Sequence, residues 1–170
     1  MKPSHLKVRD IDWEGWQPDL TTTLMFVRRQ REVLLIRKKT GLGEGKINGP
    51  GGKLEAQETP AECAVRETQE ELNIVPINPV PRAELFFHAI DFPKILAFVF
   101  VADAFEGFPK ESAEAMPLWT PMDALPFDQM WADDEFWLPQ VITDQSLKGW
   151  FSFVGDRLID HEVIEESVSF

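Results

Sequence analysis

The apolar positions of this chain fall in short runs whose period changes from two to nearly four and back again. Thr21 to Val27 (TTTLMFV) and Val33 to Lys39 (VLLIRKK) are β-rich, and the polar RRQRE between them predicts a first hairpin. Residues 41–52, GLGEGKINGPGG, carry too many glycines for regular structure and leave the backbone free to approach a ligand. From residue 60 the period becomes helical. Ala61, Ala64, Val65, Thr68 and Leu72 share one face, so a helix over 60–72 should bury that face and turn Cys63 and its acids elsewhere. Thr59 with Glu62 forms a capping box, Pro60 suits the first helical position, and Asn73 suits a left-handed terminus.

Beyond the helix, VPINPVP reads as a connection. ELFFHAI and ILAFVFVADAF, parted by DFPK, read as a second hairpin whose continuously apolar member is central to a sheet. Glu106 to Met116 is a polar loop, and LWTP is a short strand before the turn at Pro121. Residues 126–142 read as a helical segment capped by Asp133 or Asp134, and GWFSFVG with RLIDHEVIEE as a terminal hairpin. Strands alternating with two helices on a mixed sheet predict an α+β sandwich. Residues 1–20, with Trp13 and Trp16, show no period and read as an N-terminal extension and candidate homodimer contact. Residues 21–170 form one domain by length.

Composition narrows the function. A net charge of −12, from 17 basic and 29 acidic residues, disfavours polynucleotides and anionic membranes as partners. A small anionic ligand stays compatible where a cation supplies local positive field. One cysteine excludes an internal disulfide, and with no leader-like or spanning segment the expected location is the cytoplasm.

The chemistry concentrates on the helix. Glu67, Glu70 and Glu71 lie along one edge within a single turn, where like charges repel. A hard cation such as Mg²⁺ would relieve that repulsion, with Gly51-Gly52 admitting close approach and Glu58 holding Arg66 by charge-assisted hydrogen bonds. Gly52, Glu58, Arg66-Glu67 and Glu70-Glu71 stand at fixed spacing. At roughly 5–7% usage per residue, six such positions coincide by chance in about one window in ten million, so the spacing is a motif.

That motif resembles the Nudix hydrolases, departing at Thr68 and Asn73. The resemblance implies an α/β/α sandwich with a mixed central sheet. It also implies Mg²⁺, with Mn²⁺ as a substitute, and cleavage of nucleoside diphosphates linked to another moiety. LLIRKKTGLGEGKINGPGGKLE, ESAEAMPLW, LPFDQMWADDEFWLP and KGWFSFVG extend it over residues 21–165, toward the branch that removes oxidised purine nucleoside triphosphates such as 8-oxo-dGTP from the nucleotide pool. By that resemblance Glu67 binds metal and acts as base, and Glu70 and Glu71 ligate metal with the Gly51 carbonyl. Glu114 assists from a distal loop, with Arg66 and Glu58 in support. Asn48, Asp133 and Asp134 read the purine edge, Trp131 and Phe86 pack on the base, and Lys38 is a candidate phosphate contact. Ile47, Pro50 and His88 replace aromatic residues of that branch, which predicts a roomier pocket. Another nucleoside diphosphate derivative, or an inactive nucleotide-binding module, remain the alternatives.

Overall fold

The computed structural model describes residues 6–170. The strands and helices, in chain order, are β1 (Leu20–Arg29), β2 (Glu32–Lys38), β3 (Ile47–Asn48), β4 (Gly51–Lys53), α1 (Pro60–Leu72), β5 (Ile74–Ile77), β6 (Val80–Ala89), β7 (Ile95–Ala102), β8 (Ala104–Gly107), β9 (Ala115–Pro121), α2 (Leu138–Val141), β10 (Leu147–Val154) and β11 (Arg157–Glu165). A mixed sheet runs β11-β10-β6-β7-β1-β2-β3, with β9 also on β2 and β4 also on β1, while β5 and β8 form a separate small ribbon. The α+β sandwich and all three hairpins read from the sequence are present.

Strand alternation sends one set of side chains to each face. Met25, Val27, Leu34, Ile36 and Phe100 pack under Ala64 and Leu72 of α1. Phe26, Val33, Leu35, Val99 and Val101 pack under Trp137, Leu138 and Val141 on the opposite side. The feature that positions the site is a split along one edge of β1. β2 pairs only with its last residues, Arg28 and Arg29, whereas β4 pairs with Thr22 to Leu24. The turn at Pro50 fills the fork, its carbonyl accepting from Met25 N–H at 2.9 Å.

Helix α1 has the expected bounds and caps: Thr59 accepts from the Glu62 backbone, Glu62 answers, and Asn73 is left-handed at φ 61°. Its buried face differs from the expected one, because Cys63 and Glu71 are buried while Ala61 and Val65 are only half-buried. The glycine-rich stretch contains two short strands, since pairing with β1 and β2 supplies order that local propensity does not. VPINPVP is likewise not only connection: Pro76 sits in β5, on a two-stranded ribbon where its missing N–H costs no ladder bond on the open side. Residues 126–142 form two 3₁₀ turns and the four-residue α2, and neither Asp133 nor Asp134 caps a helix.

Of the extension, residues 1–5 lie outside the described residues. Residues 6–19 pack on the chain's own sheet, on the face opposite α2. Leu6 and Val8 are buried, and Ser152 Oγ donates to the Leu6 carbonyl at 2.6 Å. Val8 N–H donates to Asp160 at 2.8 Å. Trp13 and Trp16 meet Phe86, which stacks on Trp150. No described helix is long and apolar enough to cross a membrane.

Candidate active site

One cleft runs from the last turn of α1, past the fork in β1, to the aromatic residues before α2. At its polar end lie Thr22, Thr23, Lys38, Gly51, Gly52 and Glu71. At its apolar end lie Phe87, Phe92, Trp131, Trp137 and Phe153, with Asn48, Asp133 and Asp134 at the floor.

The acids of α1 are held by one guanidinium. Arg66 Nε donates to Glu58 at 2.6 Å, Nη2 donates to the other Glu58 oxygen at 3.0 Å, and Nη1 donates to Glu67 at 2.9 Å and Glu70 at 3.3 Å. The Glu58 carboxyl is accordingly held down at about 2, and the guanidinium is raised above its ordinary range, both chiefly by that shared hydrogen bond. The expected pairing of Glu58 with Arg66 is present, but Arg66 also stands between Glu67 and Glu70. Among the described residues, no three His, Cys, Asp or Glu side chains converge on one point.

Burial gives the remaining acids a different character. Glu67 is raised, mainly by desolvation, against the pull of Arg66. Glu71 is 5% exposed and pushed up to about 8 by desolvation, partly offset by a hydrogen bond from the Gly51 backbone and reinforced by the charges of Glu67 and Glu114. Glu114 is therefore within electrostatic reach of both. Lys39 fastens the loop before it, donating to the Ser112 carbonyl at 2.8 Å and pairing with Glu111.

The donor chemistry fits a hard divalent cation. Glu71 Oε2 is buried with no hydrogen-bond partner, and an anionic oxygen in that state is costly until a cation or proton meets it. The glycines make this crowding sterically possible: a Cβ on Gly52 would overlap the Glu67 carboxylate, and one on Gly51 the Thr23 carbonyl. Cys63 touches Thr23 Oγ1 at 3.2 Å behind the cleft and is pushed up to about 11 by burial, so it supplies packing and no thiolate.

At the floor, Asp133 and Asp134 are each 3% exposed. Burial pushes Asp133 up to about 6, partly offset by the Trp137 indole N–H, which donates to it at 2.7 Å. Asp134 is raised well above the ordinary range by burial and then by its neighbour's charge, and its Oδ2 has no partner. Burial raises both carboxyls, Asp134 the more, so two acids side by side favour sharing a proton and can offer both a donor and an acceptor. Asn48 fixes its own side chain by accepting from Gly49 N–H at 2.8 Å.

Two expectations are overturned. Phe86 does not face the cleft. It points to the arm with His88, and Phe87 and Ala89 line the cleft instead. A one-residue error in strand phase moves every side chain to the other face. Ile47 is buried in the core and Pro50 lies in the β1 fork, so neither is part of the cleft wall. Thr23, Phe92 and Trp137 were missed. Alternation of Ala83, Leu85, Phe87 and Ala89 on one face was the available signal for Phe87; none marked Phe92.

Comparison with known proteins gives consistent matches. The family model described as NUDIX domain matches residues 18–141. An "Oxidized purine nucleoside triphosphate hydrolase" of Danio rerio is 38% identical over 145 residues, covering 84% of this chain and 93% of the relative. The Mus musculus protein of the same name is 34% identical over 151 residues, covering 87% and 96%. Among solved structures, a MutT protein from Bacillus halodurans superposes with a TM-score of 0.73 at 26% identity, covering 85% of this chain and 97% of the other.

Proposed function

Because this chain belongs to the Nudix family of hydrolases, we propose that it converts an oxidised purine nucleoside triphosphate of the 8-oxo-dGTP kind to the nucleoside monophosphate and pyrophosphate. The observation that carries the substrate class is the buried Asp133-Asp134 pair at the floor of an aromatic cleft. A pyrimidine would leave part of that floor unpaired, at about 1–3 kcal/mol per buried polar group. The names of the zebrafish and mouse relatives support the same reading.

Glu67, Glu70 and Glu71, with the Gly51 carbonyl, would hold Mg²⁺ or Mn²⁺. Bound there, the cation would neutralise phosphate oxygens and make the attacking water more acidic. Glu67, desolvated and above the ordinary carboxylate range, is suited to take the proton from that water as it attacks phosphorus. Arg66, which donates to both Glu67 and Glu70, orients Glu67 for that role and would share Glu70 with a bound cation. Lys38 lies at the polar end, where it meets phosphate charge, and Trp131 with Phe87 grips the base.

The test is kcat/KM with Mg²⁺ on 8-oxo-dGTP, a modified adenine triphosphate, dGTP and a pyrimidine triphosphate, for the wild type and Asp133→Asn. Preference for an oxidised purine, weakened in the variant through KM with Mg²⁺ affinity unchanged, is expected. Equal rates on purines and pyrimidines would refute the substrate class, and a nucleotide sugar cleaved faster than any triphosphate would move the protein to another substrate.

A further inference from the structure

We propose that Asp19 is a positioning residue for the base pocket, and that through it the N-terminal arm sets the pocket's outer wall; this rests on reading the cleft as a purine site. The loop between β6 and β7, residues 90–94, contributes Phe92 and Pro93 to the cleft. Phe92 meets Trp131 edge-on, with ring centroids 6.1 Å apart at 89°, so the loop's position fixes the gap that a planar base enters.

The loop does little to hold itself. Among the described residues, the hydrogen bonds of 90–94 outside the strand ladders all join Lys94 to the end of the arm. The Asp19 carboxylate accepts from Lys94 N–H at 2.8 Å, and the Lys94 carbonyl accepts from Asp19 N–H at 2.8 Å and Leu20 N–H at 3.1 Å. The peptide so clamped adjoins Pro93 and lies two residues from Phe92. A strand-entry bond elsewhere in the fold would affect stability alone. Here it is coupled to the wall of a binding cleft.

The arm has a firm hold of its own, which makes it an anchor for the loop. Val8 N–H is bonded to Asp160, the Trp13 indole N–H donates to the Val8 carbonyl at 2.9 Å, and Trp13 and Trp16 pack on Phe86. Trp13 also lies edge-on to His88, directly before Ala89 of the cleft. The arm therefore grips β6 from behind and the following loop from its far end.

The experiment compares Asp19→Ala, Asp19→Asn, Phe92→Ala and the Asp19→Ala/Phe92→Ala double variant in steady-state hydrolysis of the preferred purine triphosphate. Asp19→Ala is expected to raise KM about five- to tenfold with kcat unchanged. Asp19→Asn, whose amide oxygen still accepts from Lys94 N–H, should stay within about twofold of wild type. On the Phe92→Ala background, Asp19→Ala should add nothing to KM, since the wall it positions is gone. An unchanged KM in Asp19→Ala, a fall in kcat at constant KM, or fully additive effects in the double variant would each overturn the proposal. If Asp19→Ala does not fold, Phe92→Ala alone decides: an unaltered preference for purine over pyrimidine overturns it. A wild type without that preference instead defeats the purine reading, a failure visible before any variant is made.

Discussion

Replacing Glu71 by Gln should stabilise the metal-free protein and abolish its turnover. Glu71 is 5% exposed and its carboxyl titrates near 8 in the fold against an ordinary 4.5. A folded pKa above the unfolded one means that the native state binds the proton more tightly, so stability is lost as pH rises from the unfolded value through the folded one. At about 1.4 kcal/mol per pKa unit, the full penalty is about 5 kcal/mol above pH ~8, about 3 near pH 7 and about 1 near pH 5. Glutamine has no such titration. For a chain of this size the variant should therefore melt about 6–12 °C above wild type near pH 7 in chelator, with the gap narrowing toward pH 5. The assay is thermal unfolding of both proteins in EDTA at several pH values, repeated with Mg²⁺, alongside hydrolysis. Mg²⁺ should raise the wild type and close the gap, because it meets the charge that burial penalises. A gap independent of pH, or equal Mg²⁺ stabilisation of both proteins, would refute the reasoning.

Arg66→Ala removes the group that holds Glu58, Glu67 and Glu70 together, so both the melting temperature and kcat should fall, the latter by about ten- to a hundredfold; unaltered melting and turnover with a weakened KM would assign Arg66 to phosphate contact instead. The adjacent phenylalanines of β6 should separate cleanly. Phe87→Ala should raise KM for the purine substrate about tenfold or more, whereas Phe86→Ala, which reaches the cleft only through the arm, should lower the melting temperature and raise KM by no more than the roughly five- to tenfold expected of Asp19→Ala. The reverse pattern in kinetics would restore the sequence-based assignment of Phe86.

Helix α1 was legible because its instructions are local. Thr59, Pro60, Glu62 and Asn73 state its ends, and the fixed spacing of Gly52, Glu58, Arg66, Glu67, Glu70 and Glu71 states its chemistry. Strand β6 was legible as a strand but not in phase. Both faces of ELFFHAI are covered, one by the arm and the other by the layer around α2, so each carries a phenylalanine, and only the unbroken apolar run of Leu85, Phe87 and Ala89 against Glu84, Phe86 and His88 tells them apart. The burial of Glu71 was hidden for a different reason: a glutamate reads as solvent-facing unless a partner is known, and here the partner is the Gly51 backbone, far from it in sequence. Residues 126–142 carry a helical period, but Pro139 and the buried acid pair divide the segment into single turns. The wall formed by Phe92 depends on a contact between the arm and a loop 75 residues away, which no local pattern encodes.

The anchoring of the arm also dictates when it can dock during synthesis. Leu6 and Val8 are held by Ser152 and Asp160, across sequence separations of 146 and 152 residues. Leu6 and Val8 therefore leave the ribosome well before the residues that hold them. Until the β10-β11 hairpin emerges, Leu6, Val8, Trp13 and Trp16 have no finished surface to cover, and the nascent chain carries an apolar segment in water. At about 5–20 residues per second that interval lasts on the order of ten seconds or more, so a stalled or truncated product keeps the segment exposed to chaperones and proteases.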